Sequence, residues 1–183
     1  MKYFSVNLNQ YYNHIIFDKP GLNEKNEYLT NHLLGVAGYY LTKEEYINFL
    51  EYNNEIKQFE TNFDGLYDNI MCDGQTITIE QSLIRGISFL GFCEFGTVKE
   101  SFYYNHSIAG SFILKTFHTD NWQSIETSED NIMCQSYIHL FGNDAQKHNI
   151  YSYSYIMNEN TKINSIILPY NLSMHIIAIS LIQ

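Results

Sequence analysis

The sequence predicts an α+β fold: an antiparallel, twisted or partly closed sheet with one or two helices packed on one side. Three observations predict it. One is a capping-box signature followed by apolar residues at helical period in the first third of the chain. The second is period-two alternation and apolar runs from about residue 75 onward. The third is size, since 183 residues suit one domain that buries about 70% of its unfolded surface without a disulfide staple. A single globular domain over 1–183 is expected, with helices mainly in 20–62 and strands mainly in 1–10 and 75–183.

The elements follow in order. Phe4, Val6 and Leu8 alternate with Ser5, Asn7 and Asn9, so the first strand should turn those three apolar residues to the core. Pro20-Gly21 reads as a turn, and Asn23 caps a short helix that runs to Leu34 and stops at Gly35. Thr42 with Glu45 three residues on forms a capping box, and Leu41 and Tyr46 stand at the spacing of a hydrophobic staple. Tyr46, Phe49, Leu50, Ile56 and Phe59 then share a face, which places a helix over 43–60.

Strand signals take over from residue 76. Ile87 to Phe95 contains Gly91 and reads as a bent or bulged strand. Asn105-His106-Ser107 separates two apolar runs as a hairpin would. Tyr151, Tyr153 and Tyr155 mark one face of a strand, as a packing row or an exposed platform. Asn158-Glu159-Asn160 reads as a turn into Lys162–Leu168. The run Ser173 to Ile182 is apolar on both faces, the pattern of a central strand covered on both sides. Ile132 to Phe141 fits helix and strand periods equally. Asp68-Asn69-Ile70-Met71-Cys72 recurs as Asp130-Asn131-Ile132-Met133-Cys134, but nothing around the two copies aligns, so it reads as reuse of common residues.

Charge narrows the functional classes. The chain carries 20 acids, 10 bases and a net charge of −10. One arginine, Arg85, and nine lysines cannot build the basic stripe that neutralises phosphates, so neither nucleic acid nor an anionic membrane is an expected partner. Nine acids against two lysines over 43–80 give that segment a net of −7. No run approaches the roughly 18 apolar residues a membrane helix needs, and the N-terminus lacks the apolar core of a secretory signal. Three cysteines, Cys72, Cys93 and Cys134, make an odd count that suits a reducing cytoplasm, where the chain is expected to reside.

The common catalytic motifs are absent. No Walker loop, G-x-S-x-G elbow, H-E-x-x-H pair, C-x-x-C pair or EF-hand loop occurs. Neither a cofactor nor a metal is expected, because the seven histidines offer only loose neighbours such as His118 with Asp120. Cys72 and Cys134 sit among acids that suppress a thiolate, and Cys93 lies in an aromatic run.

What remains is the acidic segment with aromatic residues among its acids. Glu51, Tyr52, Glu55, Glu60, Asp64, Tyr67 and Asp68 form the expected partner-binding set: aromatics anchor an interface while acids steer a cationic partner. An ordinary solvated helix face is the plain alternative. The expected function is inhibition of a basic protein, most concretely by an immunity protein neutralising a nuclease toxin, whose phosphate-binding surface must be cationic. A binding protein is favoured over an enzyme. The second expectation is a small-ligand binder or enzyme with its site in the mouth of the sheet, and the third is a homo-oligomer paired through tyrosine-rich strands.

Overall fold

Alternating and doubly apolar stretches give extended backbone wherever an antiparallel neighbour can satisfy their amides. In the computed structural model, which describes residues 2–14, 59–61, 67–93, 98–114, 131–140 and 143–183, they form eight strands. These are β1 (Tyr3–Ser5), β2 (Ile70–Asp73), β3 (Thr76–Cys93), β4 (Val98–Tyr104), β5 (Ser107–Leu114), β6 (Asn131–Leu140), β7 (Asn143–Ile167) and β8 (Tyr170–Ile182). They make one sheet in the order β1-β8-β3-β7-β4-β5, with β2 also on β8 and β6 also on β7. Every pairing is antiparallel.

The α+β class is therefore corrected: among the described residues every element is a strand and none is a helix. The helices expected over 23–34 and 43–60 lie outside the described residues, except that Phe59 and Glu60 stand in irregular backbone. The ambiguous stretch after Asn131 resolves as β6, because β7 offers it a ladder from Asn131↔Ser152 to Leu140↔Asn143.

The β3–β7 ribbon is long and kinked at two places. Pairing runs from Thr76↔Ile167 to Thr78↔Ser165, resumes from Ser82↔Ile163 to Ile84↔Thr161, and resumes again from Gly86↔Ile156 to Gly91↔Tyr151. Residues 79–81 of β3 thus stand against Asn164 alone, and residues 157–160 of β7 against Arg85 alone. Extra residues on alternate strands bend and twist a ribbon. The second insertion is the Asn158-Glu159-Asn160 segment, which does not turn the chain as expected. Its three residues are exposed and unpaired, a position that suits asparagine and glutamate as well as a turn does.

Beyond the kinks, β3 lies between β7 and β8, and residues 86–93 are buried without interruption. β8 has β3 on one edge and β1 and β2 on the other. Met174 through Ile182 are all buried, as the doubly apolar run predicts. The expected irregularity at Gly91 is present: the register between β3 and β8 shifts between Leu90 and Gly91, leaving Ile177 as an extra residue on β8. A Cβ at Gly91 would collide with the backbone carbonyl of His175, so glycine permits β8 to come this close.

The core is aromatic. The Phe89 ring stacks on Phe112 at 4.7 Å and meets Phe102 edge-on at 5.0 Å. Tyr155 meets Phe102 edge-on at 5.4 Å, and Tyr153 and Tyr155 are half-buried against the core, so these two members of the tyrosine row pack.

The β4–β5 hairpin forms where expected. Tyr104 pairs with Ser107, and the two residues between them, Asn105 and His106, have φ of +46° and +62°. Two consecutive positive φ values define a type I′ turn, whose twist matches the flanking strands. The turn also docks: Asn105 Nδ2 donates to the Lys162 carbonyl at 2.7 Å, and Asn105 Oδ1 accepts from the Asn164 amide at 2.9 Å. His106 is exposed and gains nothing from its own strained φ. His106→Gly is expected to stabilise the protein by about 0.5 kcal/mol. A lower urea midpoint for that variant would contradict the turn geometry.

Candidate functional site

Of the predicted partner-binding residues, Glu51, Tyr52, Glu55 and Asp64 lie outside the described residues. Glu60 is exposed and Tyr67 is 36% exposed. Asp68 is different: it is fully buried, its amide donates to the His14 carbonyl at 3.0 Å, and its carboxylate accepts from Asn69 Nδ2 at 2.9 Å. It is not presented to solvent beside the other acids. Of the alternative site, His118 and Asp120 also lie outside the described residues.

Asp68 opens a buried polar chain that local sequence did not reveal. Asn69 gives its amide hydrogens to Asp68, so its Oδ1 faces His175 Nδ1 at 2.9 Å. An acceptor there requires the hydrogen on Nδ1, which fixes the neutral ring as the Nδ1–H tautomer. The His175 ring lies parallel to Phe92 at 4.8 Å and tilted against His14 at 4.7 Å. His14 is held by a backbone bridge to Asn69, and Tyr12 donates its hydroxyl hydrogen to the Ile177 carbonyl at 2.9 Å. The chain joins three segments distant in sequence: the stretch after β1, the start of β2, and β8 at its Gly91 bulge. An Asp–Asn–His sequence resembles acid–base machinery, but Asp68, Asn69 and His175 have no exposure. A substrate cannot reach it, and its work is to register β8 against the chain segments beside it.

Two of the three thiols are equally withdrawn. Cys72 and Cys93 are free and fully buried. Burial pushes the Cys72 thiol well above its ordinary range, and the nearby Asp73, Cys93 and Glu100 push the same way. A nucleophile needs the opposite shift. No three histidine, cysteine or carboxylate side chains among the described residues are placed to hold a metal. No helix among them is long and apolar enough to cross a membrane.

The described residues also form an accessible groove of about 700 Å³ between β1 and the first bulge of β3. Phe4, Val6, Ile79 and Leu181 supply its apolar part. Polar side chains rim it, including Asn7, Gln10, Ser82 and Gln183, and Glu80 is the only ionisable one. Phe4 was expected in the core with Val6 and Leu8. Instead it is 37% exposed, with the Lys2 ammonium 4.7 Å from its ring centroid, while Val6 and Leu8 are buried. Across the groove, the Thr78 amide donates to the Tyr11 hydroxyl at 2.8 Å, so it points away from β7.

By sequence, residues 43–80 carry nine acids against two lysines, a net of −7 in a chain of −10; of those acids, Asp68 is buried and Glu60 exposed. No family model matches the chain, and no curated protein matches it.

Proposed function

We propose that this chain is an acidic binding protein that inhibits a basic partner, most concretely an immunity protein that neutralises a nuclease toxin in the cytoplasm. The observation that carries the reading is the acidic stretch of the sequence: residues 43–80 hold nine acids against two lysines, a net of −7 in a chain of −10. A toxin that grips phosphate must be cationic there, and a concentrated negative field draws that surface in and occupies it. The burial of Cys72 and Cys93 and the absence of an accessible acid–base pair among the described residues favour binding over catalysis.

The test is Glu51→Lys together with Glu55→Lys, followed by binding kinetics with the partner co-purified from the native host. Surface substitutions move stability by about 0.5 kcal/mol or less, so the fold should persist. Association is expected to slow about tenfold or more, and added salt should narrow the gap between variant and parent. Tyr67→Ala is expected to act on dissociation instead. Recovery of no partner, or unchanged association rates, would sink the reading. The groove favours a second reading, a binder of small polar ligands at the mouth of the sheet, because its apolar part, amide-rich rim and volume suit one.

A further inference from the structure

We infer that the groove beside β1 receives an extended segment of another protein, which adds to the sheet along the free edge of that strand. The partner's basic character rests on the function proposed above, whereas the mode of docking comes from β1 itself.

Ladder parity defines the edge. Lys2 and Gln183 exchange both backbone hydrogen bonds, at 3.1 and 2.9 Å, and the Val6 amide donates to the Ile179 carbonyl at 2.9 Å. Even-numbered residues of this stretch therefore face β8, and Tyr3 and Ser5 direct their N–H and C=O groups away from it. Among the described residues β8 is the only strand neighbour of β1. Phe4 and Ser5 are both exposed although they point to opposite faces. Proteins usually guard such an edge with charge, proline, a bulge or shortness. β1 reads Tyr-Phe-Ser: it has no charge, proline or bulge, and its brevity is the one guard, which a partner strand that also fills the groove can offset.

The groove supplies the rest of a strand-binding site. An added strand gains affinity from main-chain bonds and specificity from pockets for alternate side chains. Phe4, Val6, Ile79 and Leu181 form an apolar pocket beside the outward amides of Tyr3 and Ser5. At the opposite wall the Thr78 amide points off the β7 ladder but is taken by the Tyr11 hydroxyl, so the main-chain groups offered to a partner are those of Tyr3 and Ser5. Glu80 is the only ionisable side chain in the lining, the Lys2 ammonium is held over Phe4, and the chain as a whole carries −10, so the segment should alternate apolar with basic residues.

The probe is a synthetic decapeptide of alternating valine and lysine, with a valine–glutamate decapeptide as its control. Saturation with the first is expected to slow hydrogen exchange at the Tyr3 and Ser5 amides at least tenfold, and the second should bind at least tenfold more weakly. Ser5→Pro removes one outward amide without touching the β8 ladder and should weaken binding at least tenfold, while Ser5→Ala should not. A peptide N-methylated on its edge-facing amides should lose binding to the unaltered protein, a result that does not depend on any variant folding. Unchanged exchange at Tyr3 and Ser5 would overturn the proposal. So would protection that appears without peptide and rises with protein concentration, which would make a second copy the occupant. Groove shifts caused by a neutral oligosaccharide and not by the peptide would assign it to small ligands. Peptide protection alongside unchanged rates in the charge-reversal experiment would defeat the inhibitor reading alone; the converse would defeat only strand addition.

Discussion

Phe89→Ala is expected to cost about 3–5 kcal/mol, the range for emptying a buried aromatic site. Phe89 lies in the doubly covered half of β3 with no exposure, stacked on Phe112 and edge-on to Phe102. Removing its ring takes a partner from both neighbours at once. Because β4 and β5 contribute those neighbours, the hairpin would be left to close against β7 alone, through Tyr153 and Tyr155. Native stability is commonly about 5–15 kcal/mol, so the variant should retain a small part of it or unfold outright. Urea denaturation measures the loss. A cost below about 1 kcal/mol would show that the three phenylalanines are not the centre of the core.

Asn69→Ala should be nearly as damaging, for an electrostatic reason. The amide donates to Asp68 and accepts from His175, and both of those side chains are fully buried. A buried polar group that loses a bond cannot recover it from water, at about 1–3 kcal/mol for each group affected. Two groups are affected, so about 2–6 kcal/mol is expected, with a fall in melting temperature of about 4–24 °C for a chain of this length. A midpoint within 1 °C of the parent would mean that the Asp68–Asn69–His175 chain does not hold β8 in place.

The contrast between these residues shows what local sequence can carry. The Asn105-His106 turn was legible because turn geometry is decided by the two residues that make it. The Gly91 irregularity was legible because a missing side chain in an apolar strand has few other uses. Ser173 to Ile182 was legible because only a strand covered on both sides needs apolar residues at every position. Asn158-Glu159-Asn160 misled because a turn and a bulge ask for the same residues, and only the partner strand decides whether the chain reverses. Phe4 misled because alternation names a face but not what covers it, and β1 is too short and too marginal to be covered. Asp68 misled most: its charge suggested a surface, but its neighbourhood is completed by His175, 107 residues along the chain. The helical signals at Thr42 and Asn23 drew the class toward α+β, while every described element proved to be a strand. Of the partner-binding set, the structure places Glu60 and Tyr67 at the surface and Asp68 inside.

The pairing of β1 with β8 also sets a timetable for synthesis. Tyr3 lies opposite Ile182, a neighbour translated 179 residues after it. At about 5–20 residues per second, a ribosome takes about 10–35 s to make the chain between them. For that interval the nascent segment must wait without its β8 neighbour. Three residues make a poor template for stray pairing, and a longer first strand would lengthen the hazard with every residue added. Brevity in a strand whose partner is made so much later is thus a safeguard during biosynthesis, and lengthening β1 should lower the yield of soluble protein before it changes the finished fold.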